Sequence, residues 1–369
     1  MTARDQQTCP DRFVLGYRLG VKHPSFGVEE ELLLVSASGH PLPRSKAVVA
    51  DLQDVELELT QAMVEINTPV CDTSSELREH LAEMRSRLAK AAAEEGAWLL
   101  AIGVLPHGEA AQPITMKPRY QELADKWGLL AREQCVCGCH VHVDVPDRDG
   151  ATRVSNHLRP WLPALLALTA NSPIYLQQDT GFASWRWLMT TRWPCAGPPP
   201  YLESVEHYDA LVAMHMAAGT LIDQQMVYWD IRPSTHLPTV EVRVSDVPLT
   251  IDETVLLATL IRALVMTAVD DGGRGPKLEP EILRAAYWLA ARDGLTGGGL
   301  DVRSGEPLPM AQVIERLRKH VEPALQELDA VDLVNDGIQR ALVDGNGAVK
   351  QRKAFREGKD VLTLTEVTP

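Results

Sequence analysis

The sequence predicts an α+β fold built on an antiparallel sheet, and three patterns support this prediction. Four stretches alternate polar and apolar residues as strands do, and five longer stretches have the apolar spacing of amphipathic helices. The two kinds of element do not alternate regularly, which argues against a parallel doubly wound sheet. The chain has 369 residues, enough for one large domain. We expect an N-terminal extension over 1–24 and a single domain over 25–369.

The predicted elements can be placed along the chain by their patterns. Strands are expected at 25–35, 62–70, 135–145 and 238–247, and helices at 74–97, 154–171, 252–271, 280–295 and 309–328. Ser74 or Ser75 is the expected cap of the first helix. Loops are expected at 196–204, 270–277 and 294–309, and the glycine-rich composition of the last predicts a mobile connection.

Charge and composition narrow the classes of function and location. The formal net charge of −14 comes from 36 basic and 50 acidic residues, and such a surface repels nucleic acid. A nucleotide is not excluded, because one pocket needs only a few arginines and a divalent cation. The start of the chain lacks the pattern of a signal peptide, and the longest apolar stretches, 161–170 and 254–269, are too short or interrupted by Arg262 to span a membrane. With six cysteines, we expect free thiols and a cytoplasmic location.

The stretch CVCGCHVHVDV at 135–145 first suggests a metal site formed by cysteines. Side chains alternate across a strand, so the three cysteines share a face with valines, whereas His140, His142 and Asp144 share the other face. An ideal strand cannot turn Cys139 and His140 onto one ion, and no second cysteine pair follows. We therefore predict that the cysteines pack as small apolar residues.

Polar residues also follow one face of the other three predicted strands. The shared faces carry Glu29 and Glu31 in the first strand, Glu65 in the second, and Glu241, Arg243 and Ser245 in the last. Glu58 can join them if the segment before Glu65 is helical. Any one such face is ordinarily a solvated one. Together, however, several carboxylates on one sheet repel each other unless cations lie between them.

The ligand types indicate which cation and which substrate this face would bind. Oxygen ligands with an imidazole favour Mg²⁺ or Mn²⁺ over a structural zinc. Divalent ions among acids, with arginines nearby, are what a triphosphate requires. The chain has no GxxxxGK[ST] loop and no GxGxxG after a strand, so this would be neither a P-loop nor a Rossmann site.

Seven motifs occur in one order between about residues 25 and 355. They are FGVEEELLLV, MVEINTPVC, CGCHVHVDV, LTANSPIYLQQDTGFASWR, YWDIRPS, PTVEVRVSD and GAVKQR. This series resembles the carboxylate–amine ligases of the glutamate–cysteine ligase family, in its small bacterial branch. The resemblance implies a glutamine-synthetase-like fold, in which a curved antiparallel sheet forms a funnel with helices outside. It also implies that ATP activates a carboxylate, classically the γ-carboxylate of glutamate, as an acyl phosphate, which an amine such as that of cysteine converts to an amide.

The resemblance further implies roles for individual residues. The implied ligands of two or three Mg²⁺ ions are Glu29, Glu31, Glu65, His140 and Glu241. The implied catalytic residues are Arg243, Arg186 and Glu65, and the implied ATP-binding residues are Arg243, Arg232, Arg186, Lys350 and Arg352. Simpler interpretations stay open for three of them: Arg186 packs on neighbouring tryptophans, and Lys350 and Arg352 form a basic surface patch. His142 either orients His140 or is only its neighbour.

Two departures from the family pattern concern the substrates more than the metals. Asp144 stands where many relatives have a small residue, and 103–107 reads GVLPH where GTHP is usual. The acceptor amine therefore stays open and includes peptides and small specialised amines. A metal-dependent hydrolase and a non-catalytic metal- or nucleotide-binding protein also stay open. Small-molecule carboxylate and amine substrates are the expected partners, with no nucleic acid and no membrane, and the tryptophan-rich segments are compatible with a homo-oligomer.

Overall fold

The structure is a computed structural model that describes residues 23–364. Nearly all of the predicted extension over 1–24 therefore lies outside the described residues. The strands of the described chain are β1 (Phe26–Val35), β2 (Val55–Leu57), β3 (Met63–Asn67), β4 (Trp98–Leu100), β5 (Gly138–Asp144), β6 (Ile174–Tyr175), β7 (Gln178–Asp179), β8 (Ala196–Gly197), β9 (Tyr228–Trp229), β10 (Ile231–Pro233), β11 (Thr239–Asp246), β12 (Gly298–Leu300) and β13 (Pro307–Pro309).

Seven of these strands form one antiparallel sheet, which carries the four predicted strands at its centre. The order is β10-β11-β5-β1-β3-β2, and β4 pairs with the second half of β1. The edge strands β10 and β2 are not paired with each other, so the sheet is open. The predicted α+β class is confirmed, and the funnel implied by the resemblance takes the form of an open sheet.

Helices cover the sheet on one side and continue around its ends. They are α1 (Ser45–Val48), α2 (Ser74–Glu94), α3 (Pro118–Trp127), α4 (Leu129–Arg132), α5 (Arg148–Leu158), α6 (Leu162–Thr169), α7 (Trp185–Thr190), α8 (Val205–Ala217), α9 (Ile251–Asp271), α10 (Pro280–Asp293), α11 (Met310–His320), α12 (Glu322–Glu327), α13 (Val331–Asp344) and α14 (Gly347–Arg356). None of the described helices is long and apolar enough to cross a bilayer.

The two longest helices form the layer behind the sheet. Helices α2 and α9 contact each other and β1. Both begin with a capping box, formed by Thr73 and Glu76 in α2 and by Thr250 and Glu253 in α9. The cap of α2 is thus Thr73 rather than the predicted Ser74 or Ser75. Helix α9 ends at Gly272, whose φ of 66° is the left-handed conformation that glycine adopts without strain.

Several predicted elements differ in extent from the observed ones. The predicted helices at 154–171 and 309–328 are each two shorter helices, α5 with α6 and α11 with α12, and Pro163 and Pro323 lie in the first turns of the second members. The glycine-rich segment 294–309, predicted as a mobile loop, contains the hairpin β12–β13, so part of it is a strand pair and not a loop.

A β-bulge in β11 decides which residues reach the site. Val242 of β11 pairs with Val141 of β5, and Ser245 of β11 pairs with Cys139 of β5. Between these two pairs β11 advances by three residues, whereas β5 advances by only two. The extra residue reverses the alternation of the strand. Ser245 therefore shares the face of the cysteines, contrary to the prediction that it lies with Glu241. Asp246 pairs with Gly138 and takes the opposite face.

Candidate active site

The register of the sheet brings the predicted polar faces of its central strands together. In β1, Glu29 lies opposite His140 of β5 and Glu31 lies opposite Glu65 of β3. On the other side of β5, His142 lies opposite Glu241. Residues opposite each other on neighbouring strands point to the same side of the sheet. The parity argument from the sequence therefore holds for these positions.

These residues line a cavity of about 430 Å³ on the face of the sheet away from α2 and α9. Ligand atoms converge in three groups, within each of which they lie no more than 4.8 Å apart. The groups are Glu29 with Glu65 and His140, Glu29 with His142 and Glu241, and Glu31 with Glu58 and Glu65. Glu29 and Glu65 each belong to two groups, so the three form one continuous cluster of possible ligands.

Glu29 lies between the two histidines of β5. Its Oε2 atom is 3.0 Å from Nδ1 of His140, and its Oε1 atom is 3.1 Å from Nε2 of His142. Burial alone would raise the pKa of Glu29, but the charge of His142 and the hydrogen bonds from both histidines hold it well below its usual range. Glu29 is therefore ionised at neutral pH.

For Glu65 and Glu58, the pKa values shift in the opposite direction. Burial, followed by the charges of Glu29, Glu58 and Glu31, raises the pKa of Glu65 well above its usual value. Burial and the charge of Glu31 likewise raise the pKa of Glu58 to about 7. Carboxylates that keep a proton because of burial and mutual repulsion would become ionised if a cation lay between them.

The donor set fits a hard divalent cation. Each group offers carboxylate oxygens, and two of them add one imidazole nitrogen; this composition suits Mg²⁺ or Mn²⁺. Nε2 of His140 is buried and makes no hydrogen bond within the described chain, whereas Nδ1 contacts Glu29. A hydrogen bond at one ring nitrogen orients a histidine ligand and leaves the other ring nitrogen available to bind a cation.

Two arginines flank the cluster at Glu241. Arg232 donates to both oxygens of Glu241 at 2.8 and 3.3 Å and to the carbonyls of Gln225 and Val227. Arg243 donates to Oε1 of Glu241 and lies 3.3 Å from Nδ1 of His140. Burial alone would raise the pKa of Glu241, but the charges of Arg232 and Arg243 hold it well below its usual range. The contacts of Arg232 occupy most of its donors, so Arg243 has more capacity to bind a substrate anion.

Arg186 lines the cavity close to Gly138, and its Nη2 atom donates to the carbonyl of Arg243 at 3.5 Å. The side chain is only 5% exposed, and its Nε atom has no hydrogen-bond partner within the described chain. The N–H of Gly138 donates to Oε2 of Glu31 at 2.6 Å. Arg186 forms none of the cation–π contacts found within residues 23–364. The interpretation that it merely packs on tryptophans is therefore not supported.

Lys350 and Arg352 lie in α14 and are not among the residues that line the cavity in the described chain. Lys350 pairs with Glu253 at 2.9 Å and Arg352 with Asp179 at 3.1 Å. The implied contact of these two residues with ATP stays a prediction, and this arrangement does not support it.

The cysteines of CVCGCHVHVDV lie in the core, as predicted. Cys135, Cys137 and Cys139 are at most 1% exposed and belong to the main apolar cluster. Burial raises the pKa of Cys137 and Cys139 well above the usual value. Metals bind the thiolate form, so these thiols are poor ligands here.

The structure also shows the positions of Glu58, His142 and Asp144, whose roles the sequence left undecided. Glu58 joins the acidic cluster, but a turn after β2 rather than a helix brings it there. His142 contacts Glu29 and the Thr239 hydroxyl, so Glu29 connects it to His140. Asp144 accepts a hydrogen bond from Ser25 at 2.6 Å and is not among the described residues that line the cavity.

The cavity also contains residues that were not predicted from the sequence, and five of them have aromatic or basic side chains. They are Arg119, Tyr120, Trp193, Tyr228 and His236. Of these five, only Tyr228 belongs to one of the seven motifs, YWDIRPS. Its place in that motif was the available sequence signal. Arg119 and Tyr120 lie in α3, a helix that the apolar pattern did not reveal.

The fold and this cavity agree with an ATP-dependent carboxylate–amine ligase, an enzyme that forms carbon–nitrogen bonds, and the family to which the chain belongs shows this class. Glutamate–cysteine ligase family 2 matches residues 25–360, and the chain belongs to this family. A relative from Mycolicibacterium vanbaalenii, provisionally named glutamate–cysteine ligase 2-2, is 49% identical over 346 residues, which cover 92% of this chain and 95% of the relative. A relative from Nocardia farcinica, provisionally named glutamate–cysteine ligase 2-1, is 47% identical over 349 residues, or 92% of this chain and 91% of the relative.

Solved structures of distant sequence share the fold. A glutamate–cysteine ligase from Francisella tularensis, in complex with AMP, has a TM-score of 0.70 at 14% identity, and the match covers 93% of this chain and 87% of that one. A bifunctional glutathione synthetase from Pasteurella multocida has a TM-score of 0.66 at 15% identity, and the match covers 92% of this chain and 51% of that one. At this level of identity the similarity establishes the architecture.

Proposed function

We propose that the protein uses ATP to phosphorylate the γ-carboxylate of glutamate and then joins the acyl group to an amine, with cysteine as the first candidate acceptor. The observation that carries this proposal is the continuous cluster of carboxylates and two histidines in one cavity, which Arg186 and Arg243 also line. Such a cavity can hold several anions at once, as phosphoryl transfer to a carboxylate requires.

The ligands that we propose for Mg²⁺ are Glu29, Glu31, Glu65, His140 and Glu241. The bound ions would neutralise phosphate oxygens and the developing charge on them. The chain's own contribution is to fix the ligand positions: Gly138 holds Glu31 through its N–H, and Arg232 holds Glu241. Glu58 is a further carboxylate within reach of the same ions.

The reaction has two bond-forming steps. A γ-carboxylate oxygen of glutamate attacks the γ-phosphorus of ATP, and the bond to ADP breaks. The amine nitrogen then attacks the acyl carbon, phosphate leaves, and the nitrogen loses a proton. We assign to Arg243 and Arg186 the donation of hydrogen bonds to the negative oxygens of the reacting groups, because guanidinium groups bind phosphate and carboxylate with two parallel hydrogen bonds. We expect this donation to matter most in the transition state.

A direct test incubates the purified protein with ATP, Mg²⁺, glutamate and a panel of amines, and follows both ADP release and the amide product by mass spectrometry. ADP formation that depends on both glutamate and an amine, with one γ-glutamyl amide per ADP, supports the proposal. Amide or phosphate-ester cleavage without ATP would instead indicate a hydrolase. Amide formation only when another acid replaces glutamate would refute glutamate as the substrate and leave the ligase class intact.

A further inference from the structure

Arg186 reaches the cavity at the end of a connected set of buried polar residues. Asp246 is fully buried, and its Oδ1 atom lies 3.9 Å from Nη1 of Arg186. Among residues 23–364 this is the one carboxylate found within 4.0 Å of that guanidinium. Its presence here depends on the bulge in β11, which turns Asp246 and not Ser245 toward Gly138.

Asp246 also fixes the backbone on both sides of Arg186. Its Oδ2 atom accepts from the Ser172 hydroxyl at 2.7 Å, and its Oδ1 atom accepts from the Ser184 hydroxyl at 2.8 Å. Ser172 in turn accepts from the backbone N–H of Arg186 at 3.0 Å, and Ser184 caps α7 by accepting from the N–H of Trp187. The start of α7, which carries Arg186, is therefore held by a single carboxylate.

The set continues to the C-terminal helix. Oδ2 of Asp246 accepts from the N–H of Asn171 at 2.8 Å. The side chain of Gln351 in α14 donates to the side-chain oxygen of Asn171 at 2.6 Å and to its carbonyl at 2.8 Å. All three residues are at most 1% exposed. The GAVKQR motif thus contributes Gln351 to this set, whereas Lys350 and Arg352 point to surface acids.

On its other side, the guanidinium of Arg186 packs against Gly138. A Cβ atom at Gly138 would lie 2.7 Å from Cζ of Arg186, too close for any packing. The guanidinium therefore lies directly over the backbone whose N–H holds Glu31. Asp246 thus pairs with the guanidinium from behind, Gly138 leaves the space that it occupies, and Nη2 of Arg186 donates to the carbonyl of Arg243 at 3.5 Å.

We propose that Asp246 is the positioning residue of the reaction, and that Asp246, Ser172, Ser184, Asn171 and Gln351 form a positioning relay that aims Arg186 at the reacting oxygens. This inference rests on the proposed role of Arg186 in the ligase reaction. Both oxygens of Asp246 and both serine hydroxyls take part in this buried network, and such a network of hydrogen bonds fixes side-chain geometry. A catalytic group held by such a network is sensitive to small displacements. The relay touches no substrate itself.

The test uses two variants that remove the same chemical group. Ser184→Ala deletes a hydroxyl that donates to buried Asp246, and Thr254→Val deletes a hydroxyl that donates at 2.6 Å to buried Glu30, on the face away from the cavity. We expect kcat to fall about 10-fold or more in Ser184→Ala, with the KM for ATP changed less than about twofold. Thr254→Val is expected to keep kcat. Gln351→Met should reduce kcat about threefold, whereas Lys353→Ala, on the exposed side of the same helix, should not.

A second measurement does not require turnover. In protein labelled with ¹⁵N-arginine, the Nε–H resonance of Arg186, assigned by its loss in Arg186→Lys, should shift in Ser184→Ala and stay in place in Thr254→Val. The proposal is overturned if Ser184→Ala leaves kcat and this resonance unchanged, or if Thr254→Val lowers kcat equally. If the wild-type protein forms no amide at all, the proposed function fails, and the resonance alone decides whether the relay positions Arg186.

Discussion

Glu29 is the residue on which the metal site depends most directly. It shares ligand groups with Glu65 and His140 on one side and with His142 and Glu241 on the other. Its pKa is held low by the two histidines, so it is ionised and ready to bind a cation without first losing a proton. Removing its charge would therefore weaken two ligand groups at once.

Glu29→Gln is expected to abolish amide formation and to reduce Mn²⁺ affinity at least about 10-fold, because a neutral amide is a weaker ligand for a hard cation. Calorimetric titration with Mn²⁺, with circular dichroism to check the fold, measures this. Glu83→Gln is the matched control, since Glu83 lies on the exposed side of α2, behind the sheet, and belongs to none of the three ligand groups of the described chain. A fully active Glu29→Gln enzyme would remove the basis of the metal assignment.

For the buried cysteines we expect substitution to affect stability and not metal binding. Cys137 is 0% exposed, packs in the main core and has a pKa raised well above its usual value by burial. Cys137→Ala should lower the free energy of unfolding by about 1–2 kcal/mol through lost packing, while Mn²⁺ affinity and kcat stay unchanged. Urea denaturation and the same metal titration test both parts. Loss of metal affinity in this variant would mean that a cysteine is a ligand after all.

At the scale of elements, β1 serves two purposes because its two faces differ. Glu29 and Glu31 face the cavity, whereas Glu30 is completely buried on the other face and accepts two hydrogen bonds at 2.8 Å from Arg85 of α2. Arg85 also donates to the carbonyls of Pro248 and Leu249, just before α9. This ion pair joins the sheet to both long helices and keeps the acidic strand in place.

Arg85→Met is expected to lower the free energy of unfolding by about 3–5 kcal/mol, because it leaves Glu30 buried without its counter-ion. The double variant Arg85→Met with Glu30→Leu should regain most of this loss, since it removes both charges. Urea denaturation of the four proteins gives the coupling energy. A double variant as unstable as the sum of the single ones would show that the two residues contribute independently.

Strand alternation was enough to predict which side chains of the central strands share a face, and its limits are physical. The parity of β1, β3 and β5 correctly grouped Glu29, Glu31, Glu65 and His140, because regular strands have a fixed two-residue period. It misplaced Ser245 and could not identify Asp246, because a bulge adds one residue without a sequence signal of its own. Arg119 and Tyr120 escaped because only the tertiary fold brings α3 over the cavity.

For the whole molecule, the acidic cluster makes stability depend on both pH and metal. Burial and Glu31 raise the pKa of Glu58 from 4.5 to about 7. The folded protein therefore retains a proton that the unfolded chain loses near pH 4.5. This contribution to stability is complete below that pH and is lost as the pH rises through about 7. A cation that binds only the folded state acts in the opposite direction, because it needs ionised ligands.

We expect the free energy of unfolding of the metal-free protein, prepared in EDTA, to fall by about 1–3 kcal/mol between about pH 5 and pH 8. Addition of Mg²⁺ at about 100 times its Kd should add about 2.7 kcal/mol at the higher pH and less at the lower one. Urea denaturation across this pH range, with and without Mg²⁺, measures both effects. Glu58→Gln should make the metal-free profile shallower, because it removes one titrating group and keeps its shape, while Glu65 and Asp230, whose pKa values burial also raises, still titrate. A metal-free protein whose stability rises over this range would contradict the view that repulsion among these carboxylates is what the cation relieves.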